Sequence, residues 1–269
     1  MKAKVIVDNI GNLYPSEWGL CIYIENNDKK ILLDAGASNL FVENAKKLNI
    51  SLEDIDIGVL SHAHYDHANG IPAFFEINKK AKFYIRKTTA PNCYSKRFIF
   101  HKYIGIPKSL LNDYSSRIIF AKGDLEIDKG VYLIPHKLNN LEEIGKREKM
   151  YLKTSSGWKI DNFSHEQSLV IDTDKGLVIF NSCSHGGAAN IINEISNTFP
   201  NKKVYAMIGG FHLYNKTEEE VKDFANKINE TGIEYICTGH CTKEKAYDIL
   251  KDQLGDKLHQ LHVGLEMEF

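Results

Sequence analysis

Four ligand-type side chains crowd into six positions of the segment LSHAHYDHANG (60–70): His62, His64, Asp66 and His67. Imidazole nitrogens and carboxylate oxygens are the donors that zinc and similar cations prefer. His62 and His64 stand two apart at the end of an apolar run, IDIGVLSH (55–62), that reads as a buried strand. The strand period turns both to one side, which suits two imidazoles on one cation. Asp66 and His67 follow in the turn and reach a second position close by. A polar loop holding histidines by chance is the competing reading, and so many scarce histidines at one strand end argue against it. Ala63 and Ala68 leave room around the ligands, and Gly70 lets the chain turn sharply after them. Asp34 ends the strand ILLD; it reads either as a turn residue before Ala35-Gly36 or as a carboxylate that orients a ligand histidine.

Three more histidines follow strand-like runs: His185 after LVIFNSCS, His212 after YAMIGGF and His240 after YICTG. If those strands are parallel neighbours, their C-terminal ends meet on one face of a sheet, where sites form in such folds. Gly186-Gly187, Gly209-Gly210 and Gly239 permit close approach of a ligand. His185 and His240 are the candidates for closing the metal site, against a bland role for His185 at a helix start. CTGHC (237–241) has no second cysteine pair, so a separate zinc knuckle is rejected.

Elements must deliver these residues. AKVIV (3–7), LCIYI (20–24) and KILLDAG (30–36) read as strands. NLFVENAKKLNI (39–50) has helical spacing, with Phe41, Ala45 and Leu48 on one face, and Ser51 is an N-cap candidate. KFYIR (82–86) is another strand. Residues 87–160 mix strand-like pieces with long polar stretches and read as loops and short elements covering one end. SLVID (168–172) and GLVIFNS (176–182) flank the turn TDKG. Then helices at 188–199, 217–230 and 243–253 alternate with strands VYAMIGG (204–210), EYICT (234–238) and LHQLHV (258–263). Thr217 and Glu220 form a capping box, and Thr242 is expected to cap the last helix. Strand runs first and alternation later predict sheets packed face to face with helices outside.

HAHYDH fits the HxHxDH signature of the metallo-β-lactamase superfamily, and LLDAG resembles that superfamily's preceding strand and turn. WGLCIYI, NSCSHGG, IGGFHL and GHCT together resemble the subgroup of the dihydropterin–ribofuranosylaminobenzene phosphate synthase of methanopterin biosynthesis and its bacterial relatives. The resemblance implies an α/β fold, a four-layer αββα sandwich, in a single domain over 1–269 with 87–160 as an inserted lid. It implies two divalent cations, zinc first and manganese or iron as alternatives, on His62, His64, Asp66, His67, His185 and His240. Asp66 and His212 are the candidate catalytic residues. In relatives that cut phosphodiesters, a histidine before the last ligand contacts phosphate or protonates the leaving group, and His212, 28 residues before His240, matches that place or is itself a ligand. One departure stands out: the usual bridging aspartate is absent, and NSCSH puts Cys183 near its position. Cys183 reads as a thiolate ligand or a packing residue. His165 and Glu166, in SHEQSLV, read as solvated strand-start residues more readily than as ligands.

Two cations about 3.5–4 Å apart lower the pKa of a shared water toward ~7. The implied activity is therefore metal-dependent hydrolysis or a related transfer. No GxSxG or GxxxxGK[ST] motif offers another route. CYSKRFIFHKYIGIPKSLL (93–111) interleaves cations with aromatics, which suits a phosphorylated or pterin-like small molecule, and reads otherwise as an amphipathic lid with solvated lysines. A phosphodiesterase is the alternative enzyme, and a non-catalytic metal-binding regulator the alternative of another class. The chain has 269 residues, 43% hydrophobic, with net charge −1, so a sizeable core is expected and no nucleic-acid or membrane partner. Five scattered cysteines and a start without a long apolar run point to the cytoplasm. A homo-oligomer is compatible with a lid of this size.

Overall fold

Alternation along the strands decides the layers. In Cys21–Asn26, Ile22 and Ile24 face one core while Cys21 and Tyr23 face another. In Gln167–Thr173, Leu169 and Ile171 share the first of these cores, and Val170 turns to a third. The computed structural model, which describes residues 1–269, accordingly has two seven-stranded sheets face to face with helices on both outer sides.

The N-terminal sheet runs in the order Glu266–Glu268, Lys2–Val7, Cys21–Asn26, Lys29–Leu33, Ile57–Val59, Lys82–Arg86 and Ile118–Ala121. Its outer face carries the helices Leu40–Lys47 and Ile71–Ile77, anchored by the fully buried Phe41 and Phe74. The C-terminal sheet runs Leu258–Gln260, Tyr235–Thr238, Val204–Gly209, Gly176–Phe180, Gln167–Thr173, Val131–Pro135 and Leu125–Asp128. The helices Ala188–Thr198, Glu218–Glu230 and Lys243–Leu254 cover it. Their buried positions recur at helical spacing: Ile191, Ile192 and Ile195; Val221, Ala225 and Ile228; Ala246, Leu250 and Leu254. Each isoleucine, leucine or valine among them contributes roughly 1.5–3 kcal/mol by leaving water.

Gly176–Phe180, Val204–Gly209, Tyr235–Thr238 and Leu258–Gln260 are parallel neighbours, so the loops holding His185, His212 and His240 leave the same sheet edge. Lys29–Leu33 and Ile57–Val59 are likewise parallel and bring Asp34 beside Ser61.

Several local expectations need correction. Thr217 and Glu220 do form a capping box, but Thr242 does not cap the last helix. Its hydroxyl accepts from the Phe211 amide and pairs with Thr238 instead. Ser51 makes no cap either; its hydroxyl donates to Glu53. Gly70 sits at φ −77°, an ordinary helical value, so its freedom to turn is not what the site uses. A β-carbon there would lie 2.0 Å from the Ala35 carbonyl oxygen, so glycine is required by close packing. The chain closes not on 258–263 but on Glu266–Glu268, which crosses to pair with Lys2–Lys4. Within 87–160, Ile118–Ala121, Leu125–Asp128 and Val131–Pro135 belong to the large sheets. The flanking parts build a small sheet of Gly157–Ile160, Met150–Thr154, Cys93–Arg97 and Phe100–Tyr103.

Candidate metal centre

His62, His64, Asp66 and His67 lie at the end of Ile57–Val59 and in the short helix Tyr65–Ala68, all buried. The ring centroids of His62 and His64 are 4.6 Å apart, and those of His62 and His67 4.2 Å. From the C-terminal sheet, His185 places its ring 5.1 Å from both His62 and His64. His240 places its ring 5.0 Å from His67, and its Nε2 is 3.6 Å from Asp66 Oδ2. The six predicted ligand residues therefore come together in two adjoining groups, His62, His64 and His185 beside Asp66, His67 and His240.

Hydrogen bonds behind the rings set which nitrogens face inward. Asp34, fully buried with φ +60°, accepts at Oδ1 from the Ser61 amide (2.7 Å). At Oδ2 it accepts from the Ser61 hydroxyl (2.7 Å), the Ser182 hydroxyl (2.6 Å) and His67 Nδ1 (2.8 Å). Asp34 is thus both the turn residue and the orienting carboxylate. The Ser61 hydroxyl has spent its proton on Asp34, so it accepts from His62 Nδ1 (2.8 Å), leaving the His62 Nε2 lone pair free. His240 Nδ1 faces Asn9 Oδ1 at 3.3 Å, while its amide donates to Asp8 Oδ2 at 2.9 Å. His185 is stacked flat on Phe163, with centroids 4.4 Å apart. The Nε2 atoms of His62, His64, His185 and His240 are all buried without a protein partner. Orphaned buried acceptors are costly unless a ligand satisfies them. Donor atoms of His62 and His185, and separately of His67 and His240, lie within 4.8 Å of one another, an arrangement that fits transition-type cations. Burial, reinforced by the neighbouring imidazoles, pushes the His62, His64 and His185 pKa values well below the usual range, and burial carries His240 to about 3. All four are neutral at pH 7, the form that ligates. Burial also opposes charge on His67, but Asp66 and Asp34 outweigh it and hold its pKa at about 8. Ligation through its Nε2 therefore displaces a proton.

His212 stands beside these groups, its ring 4.4 Å from that of His185. Its Nε2 is 3.6 Å from the carboxylate of Glu148, which Lys216, Asn215 and Arg147 also contact. Burial opposes its charge, yet the neighbouring Cys241 sulfur and Glu148 carboxylate raise its pKa to about 9.

A cavity of about 1120 Å³ opens over the histidines. Its wall carries Lys96, Arg97, Lys102, Lys146, Arg147 and Lys149, together with Trp18, Tyr65, Phe98, Tyr151 and Tyr214. Glu148 and Asp66 are its acids. The floor is lined by His64, His185, His212 and His240, and the wall is cationic and aromatic.

A family model of the metallo-β-lactamase superfamily matches residues 19–145. The solved structure of Tm1679, a metal-dependent hydrolase of the β-lactamase superfamily, superposes with TM-score 0.85 at 30% identity, covering 100% of this chain and 99% of that one. The chain belongs to the metallo-β-lactamase superfamily. It is 29% identical over 263 residues to the 7,8-dihydropterin-6-methyl-4-(β-D-ribofuranosyl)-aminobenzene-5′-phosphate synthase of Methanocaldococcus jannaschii, covering 92% of this chain and 88% of the relative. A diphosphatase of the PhnP family shares the fold at TM-score 0.59 and 12% identity, covering 100% of this chain and 97% of that one.

Other residues of this superfamily member stand differently from the sequence reading. His165 and Glu166 are buried, not solvated strand-start residues. Both ring nitrogens of His165 are taken, Nδ1 by the Ala63 amide (3.2 Å) and Nε2 by Asp161 (3.1 Å). Glu166 accepts from the His185 amide (3.2 Å) and pairs with His136, which also meets Glu194 (3.3 Å). Cys237 lies in the core between the sheets and Cys241 beside Cys183, so CTGHC forms no common site. Sequence reasoning missed Asp8, Asn9, Glu148, Trp18 and the cations at 146–149. Asp8 and Asn9 follow the first strand as Asp34 follows the third, and that parallel was the available signal for them. Glu148 had none, lying in a stretch that reads as generic polar loop.

Proposed function

We propose that this protein is a metal-dependent hydrolase or transferase acting on a phosphorylated, aromatic or pterin-like small molecule. One divalent cation is held by His62, His64 and His185, and a second by Asp66, His67 and His240. The observation that carries this reading is the cavity itself: unpartnered imidazole nitrogens on its floor beneath a wall of cations and aromatic rings. The M. jannaschii relative supports it, since its name describes a product in which a methylpterin is joined to a ribofuranosyl-aminobenzene 5′-phosphate.

Cations bound in this centre supply Lewis acidity toward a phosphoryl or carbonyl oxygen and activation of water near neutral pH. The chain's own groups do the rest. Lys96, Arg97, Lys102 and Arg147 attract and orient a phosphate; Trp18, Tyr151 and Phe98 offer faces for a flat ring. His212 carries a proton at neutral pH and lies over the floor, placed to pass it to a departing oxygen or to clamp an anion. Asp34 and Asn9 hold His67 and His240 in the tautomers that turn Nε2 inward. The strands and loops around the mouth, within 87–160, act as the substrate cover. All five cysteines are free thiols, which supports a cytoplasmic location, and no helix is long and apolar enough to cross a membrane.

Product analysis tests the reading. Metal-loaded protein would be given a pterin diphosphate with a phosphoribosyl arylamine and, separately, a simple phosphodiester. A coupled pterin–arylamine product marks the transferase, and hydrolysis of either phosphorylated substrate alone marks the hydrolase. No product in any mixture, with both cations bound, would overturn the enzymatic reading.

A further inference from the structure

We infer that Cys183 is the ligand shared by the two halves of the centre, its thiolate standing where a bridging carboxylate is usual in this superfamily. The inference rests on the two-cation reading above and adds to it the identity of the bridge. Cys183 Sγ lies within 4.8 Å of donor nitrogens of His62 and His185 and, separately, within 4.8 Å of those of His67 and His240. Its separation from His67 Nε2 is 3.4 Å. No other side chain belongs to both groups.

The carboxylates that might compete are occupied. Asp34 spends both oxygens on Ser61, Ser182 and His67. Glu166 spends one on the His185 amide and the other on His136. Asp161 is tied to His165 and to the Phe163 amide. Asp66 sits with His67 and His240, within 4 Å of each, in the second group alone. An anionic donor between the two groups must therefore come from Cys183.

The turn that presents it is pinned on both sides. Ser182 is bonded to Asp34, and Ser184, at φ +51°, donates its amide to Asn181 Oδ1 (2.7 Å). Asn181 is itself held by Ser168 (3.0 Å). Such fixing on either side of a ligand is what a metal site needs and a packing residue does not. Cys241 is the natural control. Its sulfur accepts from the His212 amide (3.2 Å) and lies with Cys183 and His212, but belongs to neither histidine group. On binding, the Cys183 thiol gives its proton to solvent and its sulfur coordinates both cations. A thiolate bridge favours zinc, cobalt(II) or iron(II) over the harder manganese and magnesium.

The test is cobalt(II) substitution of the full chain, read by absorption and by metal content. The expected wild type binds about two cobalt ions and shows a near-ultraviolet thiolate-to-cobalt charge-transfer band. The band persists in Cys241→Ala and disappears in Cys183→Ala and Cys183→Asp. Cys183→Asp keeps both ions, because a carboxylate restores the bridge, whereas Cys183→Ala loses one. The wild-type spectrum is informative even if Cys183→Ala fails to fold. Cobalt bound without a thiolate band, or a band that survives in Cys183→Asp, overturns the bridge while leaving the metal centre standing. No cobalt bound overturns both.

Discussion

The N-terminal and C-terminal halves of the candidate centre are built differently. The N-terminal half packs His62, His64, Asp66 and His67 into one strand end and one short helix. The C-terminal half assembles Cys183, His185, His212 and His240 from three loops at the edge of a parallel sheet. In the first, spacing along the chain brings the donors together. In the second, sheet register does, and each side chain needs its own support: Phe163 for His185, Glu148 for His212, Asp8 and Asn9 for His240. Asp34 joins the halves, binding Ser61 and His67 on one side and Ser182 on the other. A contiguous motif carries its geometry locally, while a distributed one depends on partners far along the chain.

That contrast can be broken at graded strength. The largest effect is expected from His62→Ala, which removes a donor from the contiguous half; turnover should fall to background with one cation lost, read by steady-state assay and metal content. His212→Gln should keep both cations but lower turnover by about 10²–10⁴-fold. The pKa near 9 means His212 is charged below that pH, so activity should decline above it. Glu148→Gln removes a raising partner and should move that decline to lower pH in a pH–rate profile.

The buried pair behind His185 comes next. His136→Gln leaves Glu166 uncompensated and should cost about 3–5 kcal/mol in chemical denaturation. Burial opposes charge on His136, but Glu166 and then Glu194 raise its pKa to about 9 from 6.5. Its contribution is fully present below pH 6.5 and lost as pH rises through about 9. Glu194, lowered by His136 against burial, adds stability above 4.5 that is lost as pH falls. The variant should flatten the alkaline loss of stability.

Asp34→Asn should weaken metal affinity about 10–100-fold, measured by chelator competition, through loosened His67 and Ser182. Thr217→Ala, which deletes a capping box remote from the site, should cost about 1 kcal/mol and leave metal content unchanged.

The same contrast explains what was legible in the sequence. Strands with period two and helices with period 3.6 could be read because burial on one face imposes the pattern, as in Ile22 and Ile24 or Ile191 and Ile195. His62 to His67 could be read because a contiguous motif needs no knowledge of register. His185, His212 and His240 could be read as strand ends, which the parallel sheet then aligned. The supports could not: Asp8 meets His240 across 232 residues and Glu148 meets His212 across 64, and no local pattern encodes such pairings. Cap positions failed where tertiary partners claimed the side chain, as Phe211 and Thr238 claim Thr242.

The most direct test of the central claim is metal per chain, by elemental analysis of protein purified without a metal-affinity tag, with His64→Ala beside it. The account predicts about two equivalents in the wild type and a clear reduction in the variant. No metal in the wild type, even after reloading, would contradict it.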